Sequence, residues 1–421
     1  MPARNSYYEA TVARAPAAPA PASDIKCDVI IIGAGYTGLM AALELAERKF
    51  AVRVLEADLI GAAASGRNGG HLATGQRRPQ QWLEQTYGEA TAHALWKVAE
   101  DAKRTAKVRI MQHAIACDLR PGILHVAHRA DLLKEIQEEH DHLLARYGYP
   151  HATVLSKEEV DEQLGTTIYF GGVVDRDAGH LHPLKYALGL AKAAQDAGAI
   201  FHENTRALDV DFTSGRVITA TATLEAEHIL VGCNGYLGGL VPEAAPMIMP
   251  INNYVAATPP LGERAKEIIR DDVAVSDTRF VINYYKLSAD GRLLFGGGES
   301  YSPNLPTNIE EIVRPRMARV FPQLGELPFD YAWGGTLAIT LNRMPHLGRI
   351  GKHGYFAHGY SGHGVAMAGM AGKLMAEAIA GTAERFDVMA GLNIPPFPGG
   401  THLRHPLRVL AMLYGKLRDV I

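Results

Sequence analysis

The chain is poor in residues that would staple or anchor it. Its cysteines are three, Cys27, Cys117 and Cys233. They stand far apart, with no CxxC pair and no Cys/His cluster at ligand spacing, so neither a disulfide framework nor a metal site is expected. No run reaches the ~18 consecutive apolar residues of a membrane-spanning helix. The opening NSYYEATVARAPAAPAPAS has no apolar segment ahead of a cleavage site. A net charge of −3 gives no electrostatic argument for nucleic acid. These shortages favour a cytoplasmic protein with neither a membrane nor a nucleic-acid partner. What remains is an ordinary globular composition, 47% hydrophobic and 21% charged over 421 residues. That length exceeds one simple core, since single cores stop growing near ~250–300 residues, and two compact bodies are expected.

The strongest local pattern is CDVIIIGAGYTGLMAALELAERKFAVRVLEAD, from Cys27: an apolar run, a glycine turn, a helix of small and apolar residues, and a second strand. Gly33 permits the tight turn, Gly35 lets a pyrophosphate approach the backbone, and Gly38 lets helix and sheet pack closely, with the helix N-terminus facing the phosphates. Glu56 follows Gly38 by eighteen residues, where a carboxylate accepts both hydroxyls of an adenosine ribose and disfavours a 2′-phosphate. A site for FAD or NAD, and not NADP, is expected; a fortuitous helix cap is the alternative.

Elsewhere residues 1–24 read as an extended arm and roughly 80–145 as charged helices. Pro183 opens a helix that Gly198 closes. Short strands lead to ILVGCNG, and 246–335 is strand-like, with Asp290–Gly291 as a tight hairpin turn and a helix at about 308–320. GYFAHGYSGHGVAMAGMAGKLMAEAIAG gives a strand, a glycine-rich turn and a small-residue helix, and IPPFPGG precedes a last amphipathic piece. No internal repeat is found.

This order of segments resembles the D-amino-acid-oxidase-like (glycine/sarcosine oxidase) superfamily of FAD amine oxidases, over residues 25 to about 385. SYY, CDV leading to GYTGL, IGAAASGRNGGHL, RPG, GHLHPL, NYYKLSADGRLLFGGG, RMPHLGR, GYSGHGV, AERFD and PFPGG are most similar to its γ-glutamylputrescine oxidase branch. The resemblance implies an α/β plus β fold. A Rossmann-like FAD-binding domain (25–80, 150–245, 336–390) would interleave with a substrate domain built on an antiparallel sheet with helices (81–149, 246–335), ahead of a tail, 391–421.

It also implies FAD, expected to be non-covalent; relatives link it through a cysteine or histidine near the ring, for which His71 is the one nearby candidate. Gly33, Ala34, Gly35, Thr37, Gly38 and Glu56 would hold the ADP half. Ser65, Gly66, Arg67, Asn68, Gly69, Gly70, His71 and Leu72 would run beside the isoalloxazine, with Ala207, Asn234 and Gly235 completing the cofactor contacts. Gly359, Tyr360, Ser361, Gly362, His363 and Gly364 would open a helix toward the flavin pyrimidine, where a helix end contributes roughly 0.3–2 kcal/mol toward the reduced anion. His363 either adds a hydrogen bond there or is structural.

The implied reaction moves a hydride from the amine α-carbon to flavin N5, after which the imine is hydrolysed and O2 is reduced to H2O2. The implied substrate is γ-glutamylputrescine or a related polyamine derivative. An alkylammonium of pKa about 10.4 must first lose its proton, costing about 4–5 kcal/mol near pH 7, and a desolvated aromatic pocket supplies part of that. Candidate walls are Tyr254, Tyr284, Tyr285, Trp333 and Tyr360, each also readable as ordinary core. His71, Lys286, Trp333 and Tyr360 are the catalytic candidates. Two departures from the superfamily stand out. Leu337 occupies the place where α-amino-acid oxidases carry a carboxylate-clamping arginine, leaving Arg67 or Arg343 to clamp from elsewhere. No lysine lies in LLFGGG, where sarcosine-oxidase relatives place a flavin-facing one; Lys286 is the substitute, or else a solvent-facing lysine. A secondary or cyclic amino-acid oxidase, and a flavin dehydrogenase with a non-oxygen acceptor, are the alternatives; the oligomeric state is not legible.

Overall fold

The computed structural model describes residues 5–300 and 304–400, which form two sheets. In the first, the strands run in the order His346–Ile350, Gly354–His358, Thr223–Val231, Ile25–Ile32, Val52–Leu55, Ile200–His202, and a small hairpin, Asp209–Asp211 with Arg216–Ile218, extends Thr223–Val231. Pairings from Gly354–His358 to Ile200–His202 are parallel, and His346–Ile350 closes one edge antiparallel. A parallel sheet is covered on both faces, so its strands read as continuous apolar runs. Val29, Ile30, Ile31 and Ile32 are accordingly all buried.

Helices Tyr36–Glu47, Pro183–Asp196 and Gly364–Ile379 share one core with that sheet. Gly372 lets two of them touch, because a Cβ there would stand 2.1 Å from the Thr37 carbonyl oxygen. The first turn of helix Tyr36–Glu47 therefore packs against the middle of helix Gly364–Ile379.

The second sheet runs Tyr331–Ile339, Met249–Ala257, Leu293–Ser300, Tyr284–Leu287, Ala274–Asp277, Arg120–Val126, Gly172–His180, His71–Leu72, with Ala152–Leu155 also on Gly172–His180. It is antiparallel except where Arg120–Val126 meets Ala274–Asp277 in parallel. Tyr285, Phe295, Val313, Met317 and Phe321 pack behind it with helix Ile309–Val320.

Several expectations change. The stretch read as helices contains the strand Arg120–Val126, where Pro121 and Gly122 disfavour a helix and Ile123, Leu124 and Val126 are buried. The segment limits expected for the two domains do not follow the sheets. Ala152–Leu155 and Gly172–His180 join the second sheet, while helix Glu89–Gln112 buries Leu95, Ala99, Ala102 and Ala106 in the core of the first. The arm is not simply extended. Ser6 caps a short helix, Tyr7–Ala10, accepting from Glu9 N at 3.2 Å, and this buries Tyr7 and Tyr8 against Leu184, Val255, Leu294 and Trp333. The last amphipathic piece, 401–421, lies outside the described residues.

Candidate active site

Residues of both sheets enclose a cavity of about 1410 Å³. One-ligand pockets usually measure roughly 300–1,000 Å³, so this one has room for a cofactor and a substrate together. At one end Gly33 takes φ +104°, and a Cβ on Gly38 would stand 1.9 Å from the Gly33 carbonyl oxygen. Gly35 begins helix Tyr36–Glu47 with no side-chain cap; Tyr36 N instead donates to Ser65 Oγ at 3.0 Å. Glu56 accepts from Ala34 N at 2.7 Å and from Asp58 N at 2.9 Å, while burial pushes its carboxyl pKa up.

The block from Ser65 to Leu72 is held by its own polar groups. Asn68 Nδ2 donates to the carbonyls of Ala64 at 3.0 Å and Ser65 at 2.9 Å, and Asn68 Oδ1 accepts from Gly70 N at 2.7 Å. Arg67 Nε donates to the Gly334 carbonyl at 2.6 Å, and the Arg67 carbonyl accepts from Trp333 Nε1 at 3.0 Å. These bonds pin the loop to strand Tyr331–Ile339. His71 lies between the carbonyl oxygens of Gly69 at 3.2 Å and Val275 at 3.1 Å, edge-on to Tyr284. Burial pushes its pKa down to about 4, so the ring is neutral at pH 7.

Across the cavity, Gly359 N donates to Asn234 Oδ1 at 3.0 Å, and Ser361 and Gly362 take φ +52° and +92°. A Cβ on Gly362 would meet nothing within 4 Å, so this turn faces open space. Helix Gly364–Ile379 begins without a side-chain cap, and the buried His363 Nε2 has no hydrogen-bond partner. Two helix starts without side-chain caps on one cavity suit an elongated anion. With the Glu56 carboxylate, the orphaned His363 nitrogen and the glycine cradle, the residues present fit FAD. Its pyrophosphate would lie at the Gly33–Gly38 end and its pyrimidine ring at Gly362–Gly364.

Gly33, Gly35, Thr37, Glu56, Ser65, Arg67, Asn68, Gly69, Gly70, His71, Ala207, Asn234, Tyr360, Ser361, Gly362, His363 and Gly364 all line the cavity, as do Tyr284, Arg343 and Leu337. Ala34, Gly38, Gly66, Leu72, Gly235 and Gly359 are not in its wall. The hydroxyls of Tyr360 and Thr37 share a hydrogen bond of 2.7 Å.

Three expected walls are corrected. Tyr254 donates to Ser300 Oγ at 2.6 Å from inside the second core, and Tyr285 stacks on Phe295 there, because successive strand residues point to opposite faces. Trp333, 1% exposed, backs Arg67 instead of facing the cavity. Lys286 is not solvent-facing. Its Nζ donates to the Leu181 carbonyl at 2.5 Å, close behind Gly70, in a small separate cavity with Tyr7, Tyr8, His180 and His182, and burial lowers its pKa to about 8.

Arg77, Arg78, His125 and Asn253 also line the main cavity and went unnoticed in the sequence. The signal for two of them was QRRP, a pair of arginines just beyond the glycine block. Tyr284 OH donates to Asn253 Oδ1, which orients that amide at the wall.

A parallel nucleotide sheet joined to a second sheet over one shared cavity defines a flavin-dependent oxidoreductase. The family model described as DAO, FAD dependent oxidoreductase, matches residues 28–378, and the chain belongs to that family. It is 40% identical over 416 residues to a probable oxidoreductase OrdL of Rhizobium meliloti (strain 1021), covering 98% of this chain and 97% of the relative. It is 38% identical over 418 residues to the gamma-glutamylputrescine oxidoreductase of Escherichia coli (strain K12), covering 99% and 98%. In fold it is similar to glycine oxidase from Geobacillus kaustophilus, with a TM-score of 0.71 at 20% identity over 85% of this chain and 95% of that one.

Proposed function

We propose that this FAD-dependent oxidoreductase is a cytoplasmic amine oxidase acting on γ-glutamylputrescine or a related polyamine derivative, with O2 as final acceptor and an aldehyde, ammonia and hydrogen peroxide as products. The observation that carries the reading is Leu337. It faces the cavity from strand Tyr331–Ile339, paired with Ile251, and the sequence resemblance aligns it with the arginine by which amino-acid oxidases of the superfamily clamp a carboxylate. An apolar side chain there suits a reacting carbon that bears none. The 38% identity to the E. coli gamma-glutamylputrescine oxidoreductase, nearly end to end, supports the same substrate class.

When bound, FAD supplies the acceptor for the hydride that leaves the amine α-carbon. The chain's part is to present a neutral amine. Arg67, Arg77 and Arg343 place positive charge around the cavity, which makes a further cation there costly and favours loss of the ammonium proton. His71, neutral and with one N–H to donate to one of the two carbonyls it faces, adds no charge of its own. Non-covalent FAD is part of the reading, since both His71 ring nitrogens lie within hydrogen-bond reach of backbone carbonyls. The choice of O2 rests on Lys286, buried behind Gly70 beside the expected flavin segment.

Anaerobic mixing of the yellow protein with γ-glutamylputrescine, putrescine, sarcosine and pipecolate tests the proposal. Fast bleaching by the first, followed by stoichiometric peroxide on admitting air, is the expected result. A flavin that stays oxidised with every polyamine derivative and bleaches with a cyclic amino acid would overturn it. Rapid dye reduction without peroxide would remove the O2 assignment alone.

A further inference from the structure

Arg77, Arg78 and Arg343 all line the cavity. Arg78 is engaged, donating from Nε to the Asn342 carbonyl at 3.0 Å with its guanidinium over the Trp82 ring at 4.8 Å. Arg77 is different. Among the described residues its side chain has no hydrogen-bond or ion-pair partner, and the charges that act on it most, Arg343 and Arg78, are of its own sign. Burial and those two charges together lower its pKa to about 10, so it is still a cation at pH 7.

Among the described residues no carboxylate of the same cavity hydrogen-bonds or ion-pairs with Arg77. Glu139 accepts from Gln80 N at 2.7 Å, and Asp277 accepts from Arg279 and Asn283. His125 and His363, both near enough to be influenced by Arg77, are neutral at pH 7, since burial pushes each to about 4. A half-buried guanidinium beside two others is costly unless an anion joins it, and its planar fork matches a carboxylate. The described residues pair no such anion with Arg77, so a ligand bound in the cavity is left to bring it.

We propose that Arg77, with Arg343 beside it, forms a subsite for a carboxylate at the far end of the substrate from the reacting amine. This rests on the amine-oxidase reading. Since Leu337 leaves the reacting carbon without a clamp, the anion that Arg77 awaits belongs elsewhere on the molecule. The substrate class is then an amine carrying a remote carboxylate, in preference to a free diamine or a neutral acylated one.

The test compares γ-glutamylputrescine with N-acetylputrescine, which has the same aminobutyl arm and no carboxylate. In the unaltered holoenzyme kcat/KM favours the first. In Arg77→Gln that preference falls by roughly tenfold to a hundredfold, mainly through KM, and Arg77→Lys recovers part of it. A ratio that stays unmoved in both Arg77→Gln and Arg343→Gln, while both amines still bleach the flavin, overturns the subsite and leaves the amine-oxidase reading standing. Bleaching by neither amine in the unaltered enzyme overturns that reading itself. A second measurement needs no variant. γ-Glutamylbutylamide, which lacks the reacting amine, is titrated against N-butylacetamide by the change in flavin absorbance. Tighter, salt-weakened binding of the first supports the proposal, and equal binding overturns it.

Discussion

Single atoms decide much of the cofactor end. A Cβ on residue 38 would stand 1.9 Å from the Gly33 carbonyl oxygen, and neither backbone segment can move without opening the turn. Gly38→Ala is therefore expected to cost about 1–3 kcal/mol in stability and to lower the flavin-to-protein ratio after purification. Gly239→Ala is the control, because a Cβ there meets nothing within 4 Å. Equal flavin content in the two variants would count against the cradle. Residue-scale reasoning also separates Tyr284 from Tyr285. The aromatic pair was visible in NYYK, but which ring faces the cavity depends on the phase of the pleat, and only the pairing of Tyr284 with Gly296 and Ser276 fixes that phase. Arg77 was hidden for another reason: a sequence shows that a cation is present, not that it lacks a partner.

At the scale of elements, two helices present their N-termini to one cavity and pack closely where Gly372 meets the first turn of Tyr36–Glu47. Gly372→Val drives a branched side chain toward the Thr37 carbonyl, 2.1 Å from where its Cβ would sit. The expected outcome is a lowered Tm, corresponding to about 1–3 kcal/mol, with FAD affinity weakened several-fold as the two helix starts move apart. Gly369, on the same helix, has ordinary room, its Cβ 3.5 Å from Met40 Cε. Gly369→Ala should be neutral or gain up to about 1 kcal/mol from helix propensity, so thermal melts of the pair distinguish close approach from propensity. The elements carrying spaced glycines were legible, since Gly33, Gly35 and Gly38 fall between a strand and a helix as their turn requires. Arg120–Val126 was not, because seven residues between long helical patterns show too little alternation to declare a strand. The sharing of segments between sheets was missed for a related reason. Gly172–His180 pairs with Arg120–Val126, a partner some fifty residues earlier, and nothing local in either strand names the other.

At the scale of the whole molecule, the buried histidines couple fold and pH. Burial pushes His180 and His182 down to about 3 and His346 to about 4. His346 Nδ1 lies 2.9 Å from His358 Nε2, a pair that can share one hydrogen only while at least one ring is neutral. His182 Nε2 meets Thr11 Oγ1 at 3.0 Å and so helps hold the N-terminal segment whose Tyr7 and Tyr8 cover the Lys286 cavity. These rings are neutral when folded and titrate near 6.5 when unfolded, so below that pH the unfolded chain binds more protons. Stability is consequently full above about pH 7 and falls as pH drops from about 6.5 toward 4, by about 1 kcal/mol per histidine per pH unit. Denaturant melts between pH 8 and 4.5, with FAD in excess to hold occupancy constant, should show a plateau and then a decline reflecting uptake of several protons. His346→Gln should reduce the slope by about one proton. A stability that stays level from pH 7 to pH 5 would mean that these rings are not buried as neutral groups, and the packing of the N-terminal segment against His182 would then have to be redrawn.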